Sequence, residues 1–349
     1  MKENYSIRII SEDDLLNAGC FNLKEIINVC EEAFRDYSNN KVVFPDKVSV
    51  IFDEDTQNRI NCLPAATLAE NVYGMKWVSV FPSNPQMHNK PNLSAVILLS
   101  ELETGYPFAL MEGGMCTNLR TASVGAIAAK YLAKSNATTI GIIGAGEQAK
   151  SHFLAFKTVL PNLKKCKVAS RTSKSEQKFI EQMSKFYPDV EFVRCDSICK
   201  DAVEDADIVV TAISGQEKIL QAEWIKDGAF YCHVAGLEDD FDVALKASKI
   251  VCDDWETVKH RTQTISQMYI LGLLKDEDIY ANLYELINSE KVGRENDNEF
   301  IYFNSVGLSF IDIKVANWMY SKVLEHKLGK EVEVKSESIF DRGDKLYIY

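Results

Sequence analysis

Thr138–Ala149 reads TTIGIIGAGEQA, and this stretch decides the fold. An apolar run from Thr139 to Ile143 predicts a short buried strand. Gly144, Gly146 and Ala149 follow it in G-x-G-x-x-A spacing, and the pattern turns helical near Glu147. Gly144 permits a tight turn, Gly146 lets the backbone approach a pyrophosphate, and Ala149 lets the helix pack closely on the strand. The helix start then offers unpaired N–H groups and the positive end of its dipole to phosphate oxygens. A second strand pattern, Lys167–Ser170, follows at the distance a βαβ unit requires. The stretch therefore reads as a dinucleotide-binding turn rather than a structural glycine loop.

Outward from this turn, residues 138–308 alternate strand and helix patterns. Strands are expected at Thr139–Ile143, Lys167–Ser170, Glu191–Arg194, Asp207–Ile213, Phe230–Ala235, Lys249–Asp253 and Phe300–Phe303. Such alternation predicts a parallel sheet covered by helices on both faces, a Rossmann-type doubly wound α/β fold. Upstream, Asn118–Ala133 is an alanine-rich helical pattern suited to close packing. Residues 41–110 hold short β-rich runs separated by turns, a mostly antiparallel sheet in a second, α+β domain, with one amphipathic helix before it from Asn22. Ser309–Leu328 is helical again, and its apolar residues suit a return to the first domain. The expected organisation is residues 1–118 plus 309–349 as one domain and residues 119–308 as the dinucleotide-binding domain.

The chain has 349 residues, 46% hydrophobic and 26% charged, with a formal net charge of −12. That acidity argues against a nucleic-acid partner or an anionic membrane surface. No apolar run approaches the ~20 residues that span a bilayer, and the first residues show no basic-then-apolar leader pattern, so a cytoplasmic protein is expected. Of nine cysteines, Cys30, Cys166, Cys232 and Cys252 fall in apolar patterns, where a thiol acts as a small hydrophobe. Cys195 and Cys199 lack the second pair or nearby histidine of a zinc site, and no metal is expected.

After the second strand the chain reads Ser170-Arg171-Thr172-Ser173-Lys174, with no acidic residue before Glu176. An acid at this place binds adenosine ribose hydroxyls, whereas an arginine accommodates a 2′-phosphate. NADP is thus the expected cofactor, with NAD as the alternative.

Glu112-Gly113-Gly114 through Arg120-Thr121-Ala122, the Gly144 turn and Ser305-Val306-Gly307-Leu308 together resemble the ornithine cyclodeaminase/μ-crystallin family over nearly the whole chain. Gly74-Met75-Lys76-Trp77, Phe81-Pro82-Ser83-Asn84 and Glu103-Thr104-Gly105-Tyr106-Pro107 strengthen the match. The family groups cyclodeaminases, ketimine reductases, amino-acid dehydrogenases and an opine-type dehydrogenase of the 2,3-diaminopropionate pathway. The resemblance implies a homodimer built through the N-terminal domain, with the active site between domains. It implies that Lys76 is the active-site lysine and that Arg120 grips the substrate α-carboxylate. Lys47 stands where many members have an arginine, and Asn92 near a position often held by threonine. Glu238 falls where cyclodeaminases place a catalytic aspartate. Its extra methylene adds about 1.5 Å of reach, enough to misplace an acid/base and to argue against strict cyclodeamination. Met75–Ser79 and Tyr106-Pro107 look more like the diaminopropionate branch. The cofactor-binding set expected is Thr121, Gly144, Ala145, Gly146, Glu147, Gln148, Ser170, Arg171, Thr172, Thr211, Ala212, Ile213, Val234, Gly236, Ser305 and Gly307.

Elementary chemistry stands beside the resemblance. A carboxylate substrate needs fixed cations, and Arg120 offers a bidentate fork on an otherwise apolar helix. Lys76 lies in a buried-looking strand, where an unpaired ammonium costs several kcal/mol and so needs a reason. Glu238 follows an apolar strand at the carboxyl end of the sheet, where an acid meets a substrate amine or its proton. His233 inside that strand reads as a core or cofactor-face histidine. The reading is an NAD(P)-dependent oxidoreductase acting at the Cα–N bond of a small amino acid or its imine. The alternatives are an ornithine cyclodeaminase using cofactor catalytically and a non-enzymatic NADP-binding protein.

Overall fold

The computed structural model describes residues 5–53 and 56–335. The strands, in chain order, begin with β1 (Tyr5–Ile10), β2 (Val42–Val43), β3 (Val48–Asp53), β4 (Asn58–Thr67), β5 (Val72–Val80), β6 (Leu93–Glu101) and β7 (Pro107–Glu112). There follow β8 (Thr139–Ile143), β9 (Lys165–Ala169), β10 (Glu191–Arg194), β11 (Ile208–Thr211), β12 (Phe230–His233), β13 (Lys249–Cys252), β14 (Ala281–Asn282), β15 (Ile301–Asn304) and β16 (Lys330–Lys335). The helices are α1 (Glu12–Asn17), α2 (Leu23–Ser38), α3 (Asn84–Met87), α4 (Gly114–Leu132), α5 (Glu147–Val159), α6 (Ser173–Phe186) and α7 (Cys199–Val203), then α8 (Phe241–Lys246), α9 (Trp255–Val258), α10 (Thr264–Ile270), α11 (Leu283–Ile287) and α12 (Ser309–Glu325). The described residues divide into two compact units, one within Met1–Asn22, Asn40–Thr117 and Asp312–Tyr349, the other within Leu23–Asn39 and Asn118–Ile311.

The first unit is built on a mostly antiparallel sheet ordered β16-β1-β7-β6-β5-β4-β2, with β3 also paired to β4 and β1 parallel to β7. Strand alternation sets its inside and outside. On β5, Val72, Gly74, Lys76 and Val78 point inward and are buried, while Tyr73 and Trp77 are exposed. The part of α12 from Asp312 onward packs on the inner face: Ile313 seats over Gly74, and the Phe108 and Tyr320 rings meet at 4.8 Å.

The second unit is a parallel sheet in the order β10-β9-β8-β11-β12-β15-β13-β14. Helix α2, expected with the first unit, groups with the second. Its aromatic end explains this: Tyr37 stacks on Phe310 at 5.2 Å, meets Tyr284 edge-on at 5.5 Å, and donates its hydroxyl to Asp254 at 2.9 Å. Residues 336–349, counted with the first domain in the sequence reading, lie outside the described residues.

Candidate active site

Because the strands of the second unit are parallel, their carboxyl ends share one edge, where ligands of open α/β folds bind. The strand-to-helix turn is as the sequence predicts: β8 ends at Ile143 and α5 begins at Glu147. Gly144 sits at φ +118, and a Cβ there would lie 2.4 Å from the Ala212 carbonyl oxygen. Its N–H donates to Ala169 O at 2.8 Å, and Ala212 N–H donates to Ile143 O at 2.8 Å, which ties the turn to the ends of β9 and β11. Gly146 caps α5 and is open on its Cβ side. A cradle of backbone with space above it, at the start of a helix, suits a pyrophosphate. Sheet order brings the expected residues onto this edge: Ser170–Thr172 beyond β9, Thr211–Ile213 at β11, Val234 and Gly236 beyond β12, and Ser305 and Gly307 beyond β15.

At the β9 end, Arg171 is exposed, while Glu176 is fully buried and accepts from the N–H groups of Ser170 (2.7 Å) and Ser197 (2.9 Å). Thr172 caps α6, its hydroxyl oxygen accepting from Ser175 N–H at 3.3 Å. The nearest acid is thus drawn inward to hold the turn, and an arginine is presented outward.

Three buried polar side chains clamp the neighbouring strand ends, and two of them went unrecognised in the sequence. Glu238 is fully buried and accepts from Thr211 Oγ1 (2.7 Å), Ile213 N–H (2.9 Å) and Ala235 N–H (3.3 Å). Gln263, at the start of α10, donates to the carbonyls of Ala235 (2.7 Å) and Ser305 (3.0 Å) and accepts from Asn304 Nδ2 (2.7 Å). Asp253 accepts on one oxygen from Ser305 Oγ (3.1 Å), Val306 N–H (2.8 Å) and Gly307 N–H (2.9 Å). Glu238, read from the sequence as an acid that meets a substrate amine or its proton, lies among these strand-end donors. Glu238 turns inward, because the donors of two strand ends would be left unsatisfied without it. Thr211 turns inward too, its hydroxyl shared between Glu238 and Tyr231. Asp239 is buried as well, 3.4 Å from His233 Nε2 and accepting from Thr264 Oγ1 at 2.7 Å; burial raises its pKa, and His233 opposes the rise. His233 lies fully buried in the interior.

Arg120 and Thr121, on α4, are buried at 6% and 8% exposure. The Arg120 guanidinium lies against Gly307, whose φ is +78; a Cβ there would come within 2.6 Å of Arg120 Nη1. Burial, with the Arg120 charge adding to it, holds His152 down at about 4, so that imidazole is neutral.

In the first unit, Lys76 is 1% exposed and donates to Asp312 at 2.7 Å, a pairing between β5 and α12 that periodicity does not reveal. Lys47 is half-buried one residue before β3, on the same sheet. Asn92 is set apart: it precedes β6, five residues from Ile97, the cross-strand partner of Lys76. At ~3.3 Å per residue this is roughly 16 Å along the strand. Asn92 lines an open polar hollow with Ser79, Phe81, Asn84, His88, Lys90 and Ser94.

Among the described residues no cluster of three or more histidine, cysteine or acidic groups is placed to hold a metal, and no helix is long and apolar enough to cross a membrane.

Against known proteins, the chain is 27% identical over 330 residues to the N-((2S)-2-amino-2-carboxyethyl)-L-glutamate dehydrogenase of Staphylococcus aureus, covering 93% of this chain and 98% of that one. Its fold superposes with a TM-score of 0.88 on the Delta(1)-pyrroline-2-carboxylate reductase of Thermococcus litoralis, solved in complex with NADH and L-proline. That match has 32% identity and covers 93% of this chain and 100% of that one. An archaeal alanine dehydrogenase dimer with bound NAD matches at a TM-score of 0.84 and 30% identity, covering 95% of this chain and all of that one. The model of the ornithine cyclodeaminase/mu-crystallin family matches residues 18–327, and the chain belongs to that family.

Proposed function

We propose that this protein is an NAD(P)-dependent oxidoreductase acting at the Cα–N bond of a small amino acid or its imine, with NADP(H) preferred. The observation that carries the reading is the presence of two buried cations, Arg120 and Lys76, in a chain similar throughout to enzymes named for amino-acid and imino-acid redox chemistry. The Gly144–Gly146 cradle and the α5 start fit a dinucleotide. When bound, the nicotinamide supplies hydride to the imine carbon or takes it from the amino acid.

The chain's own residues do the rest. Arg120 holds the substrate carboxylate through its planar fork. Lys76, fixed by Asp312, donates a proton to the nitrogen as the imine becomes an amine, and Lys47 adds positive charge from the same sheet. Glu238 holds the loops after β11 and β12 in place, a supporting role rather than proton transfer. Exposed Arg171 and the Thr172 hydroxyl receive a 2′-phosphate, and the Glu176 carboxylate is drawn inward, away from it.

The protein acts as a homodimer. On the outer face of the first sheet, Val48, Cys62, Trp77 and Val96 stand in register across β3, β4, β5 and β6, and Val48, Trp77 and Val96 are 63%, 43% and 44% exposed. An apolar row of this kind marks an interaction surface, and the alanine dehydrogenase is itself a dimer. A second copy is the occupant we assign to it.

Oxidation of NADPH and NADH, followed at the nicotinamide absorbance with cyclic imino acids and with 2-oxo acid plus amine mixtures, tests the reading. The expected result is turnover, faster with NADPH, that falls at least ~100-fold in Arg120→Ala. Faster turnover with NADH overturns the Arg171 assignment. Ammonia release from ornithine without net change in the cofactor replaces the redox reading with cyclodeamination. Cofactor binding without turnover on any of these replaces it with a binding protein.

A further inference from the structure

We propose that Asp253 is a positioning residue for substrate recognition: it sets the Ser305–Val306–Gly307 loop, and the loop sets the Arg120 guanidinium that receives the substrate carboxylate. The inference rests on the proposed function above. Asp253 is fully buried immediately after β13, too deep to touch a substrate, and its side chain reaches across to the segment after the neighbouring β15. One carboxylate oxygen collects the Ser305 hydroxyl, the Val306 N–H and the Gly307 N–H, at 3.1, 2.8 and 2.9 Å. The other accepts the N–H of Asp254 at 2.9 Å. Three donors from consecutive residues on a single oxygen leave the loop one conformation, and Gly307 is held at φ +78 within it. Arg120 abuts that glycine closely enough that a side chain at position 307 would strike the guanidinium. The loop backbone is therefore a wall against which the fork is aimed. A bidentate cation discriminates by orientation, so the wall that orients it decides how much the carboxylate contributes.

The ionised carboxylate holds these three donors more strongly than its protonated form would. Burial pushes Asp253 up to about 6, with the Gly307 and Val306 N–H groups and that of Asp254 pulling it back and the Asp254 charge adding to the rise. The titratable groups that interact with it are Asp254 beside it, Cys252 on β13 and Cys232 on β12, and burial drives both thiols far above their ordinary range.

The measurement is the ratio of kcat/KM for a cyclic imine bearing the carboxylate to kcat/KM for the same imine lacking it, in wild type, Asp253→Asn and Gly307→Ala. In the D253N variant the amide nitrogen faces either the loop donors or the Asp254 N–H, so one set loses its acceptor. The expected result is a ratio at least tenfold lower in D253N, with kcat on the carboxylated imine within about threefold of wild type. G307A, which disturbs Arg120 from the loop side, is expected to lower the ratio likewise. In wild type the ratio holds above pH 6 and falls below it, as the acceptor charge is lost; in D253N it is flat. A D253N ratio equal to wild type, or a wild-type ratio flat through pH 6, overturns the inference. If D253N does not fold, the wild-type pH profile decides. Wild type that reduces neither imine overturns the proposed function instead, so the two failures are distinct.

Discussion

Lys76 and Asp312 carry the clearest coupling of chemistry to stability at the scale of single residues. Both are buried, and their charges meet at 2.7 Å across 236 positions of sequence. Removing one partner of a buried pair costs about 3–5 kcal/mol, whereas replacing both with apolar groups of similar volume is close to neutral. Asp312→Ala is therefore expected to lower the urea midpoint sharply, and Lys76→Met combined with Asp312→Leu to restore most of it, while neither variant turns over substrate. A double variant as unstable as the single one would show that the pair is not what holds α12 on β5. The lysine was legible in the sequence because an ammonium in a buried strand demands a reason. Its partner was not, because Asp312 sits in a helix whose pattern reports only which face is apolar. The same limit hid Asp253 and Gln263, whose partners are backbone groups of loops after other strands. It also hid the partners of Glu238: its place after β12 was readable, but which way its carboxylate turns depends on donors at Thr211 and Ile213.

At the scale of elements, the turn between β8 and α5 is where local sequence and tertiary structure agree fully. An apolar strand, a glycine forced to φ +118 and a helix start specify it without distant information. Gly144→Ala strains the backbone by about 1–3 kcal/mol and drives a methyl group into the Ala212 carbonyl, 2.4 Å away. We expect NADPH binding, measured by titration calorimetry, to weaken at least tenfold, with the far-UV spectrum retained. Unchanged affinity would place the pyrophosphate elsewhere. Elements at the sheet edge were less legible. β16 reads KEVEVK and is exposed throughout, and β1 is half-buried along most of its length, so neither carries the contrast between faces that alternation requires. Helix α2 was found readily, yet its unit was not, since an amphipathic stripe says that a helix packs and not on what.

For the whole molecule, the proposed homodimer rests on the outer face of the first sheet. Antiparallel sheets commonly solvate one face with polar side chains, but here Val48, Trp77 and Val96 form an exposed row in register, with Tyr73 exposed beside them. Leaving such a row in water forfeits about 25 cal/mol for each Å² of apolar surface that a partner would cover. The net charge of −12 favours solubility and discourages indiscriminate association. Light scattering after size exclusion is expected to give twice the chain mass for wild type. Trp77→Glu with Val96→Glu places four carboxylates at the centre of a two-fold interface, where like charges repel and desolvation is uncompensated; the chain mass alone is expected. Those side chains point away from Lys76, which faces inward from the same strand. The variant thus separates assembly from chemistry: a monomer that still binds NADPH with unchanged affinity fits the dinucleotide site lying wholly in the second unit, and a double variant that remains dimeric would move the interface off this face.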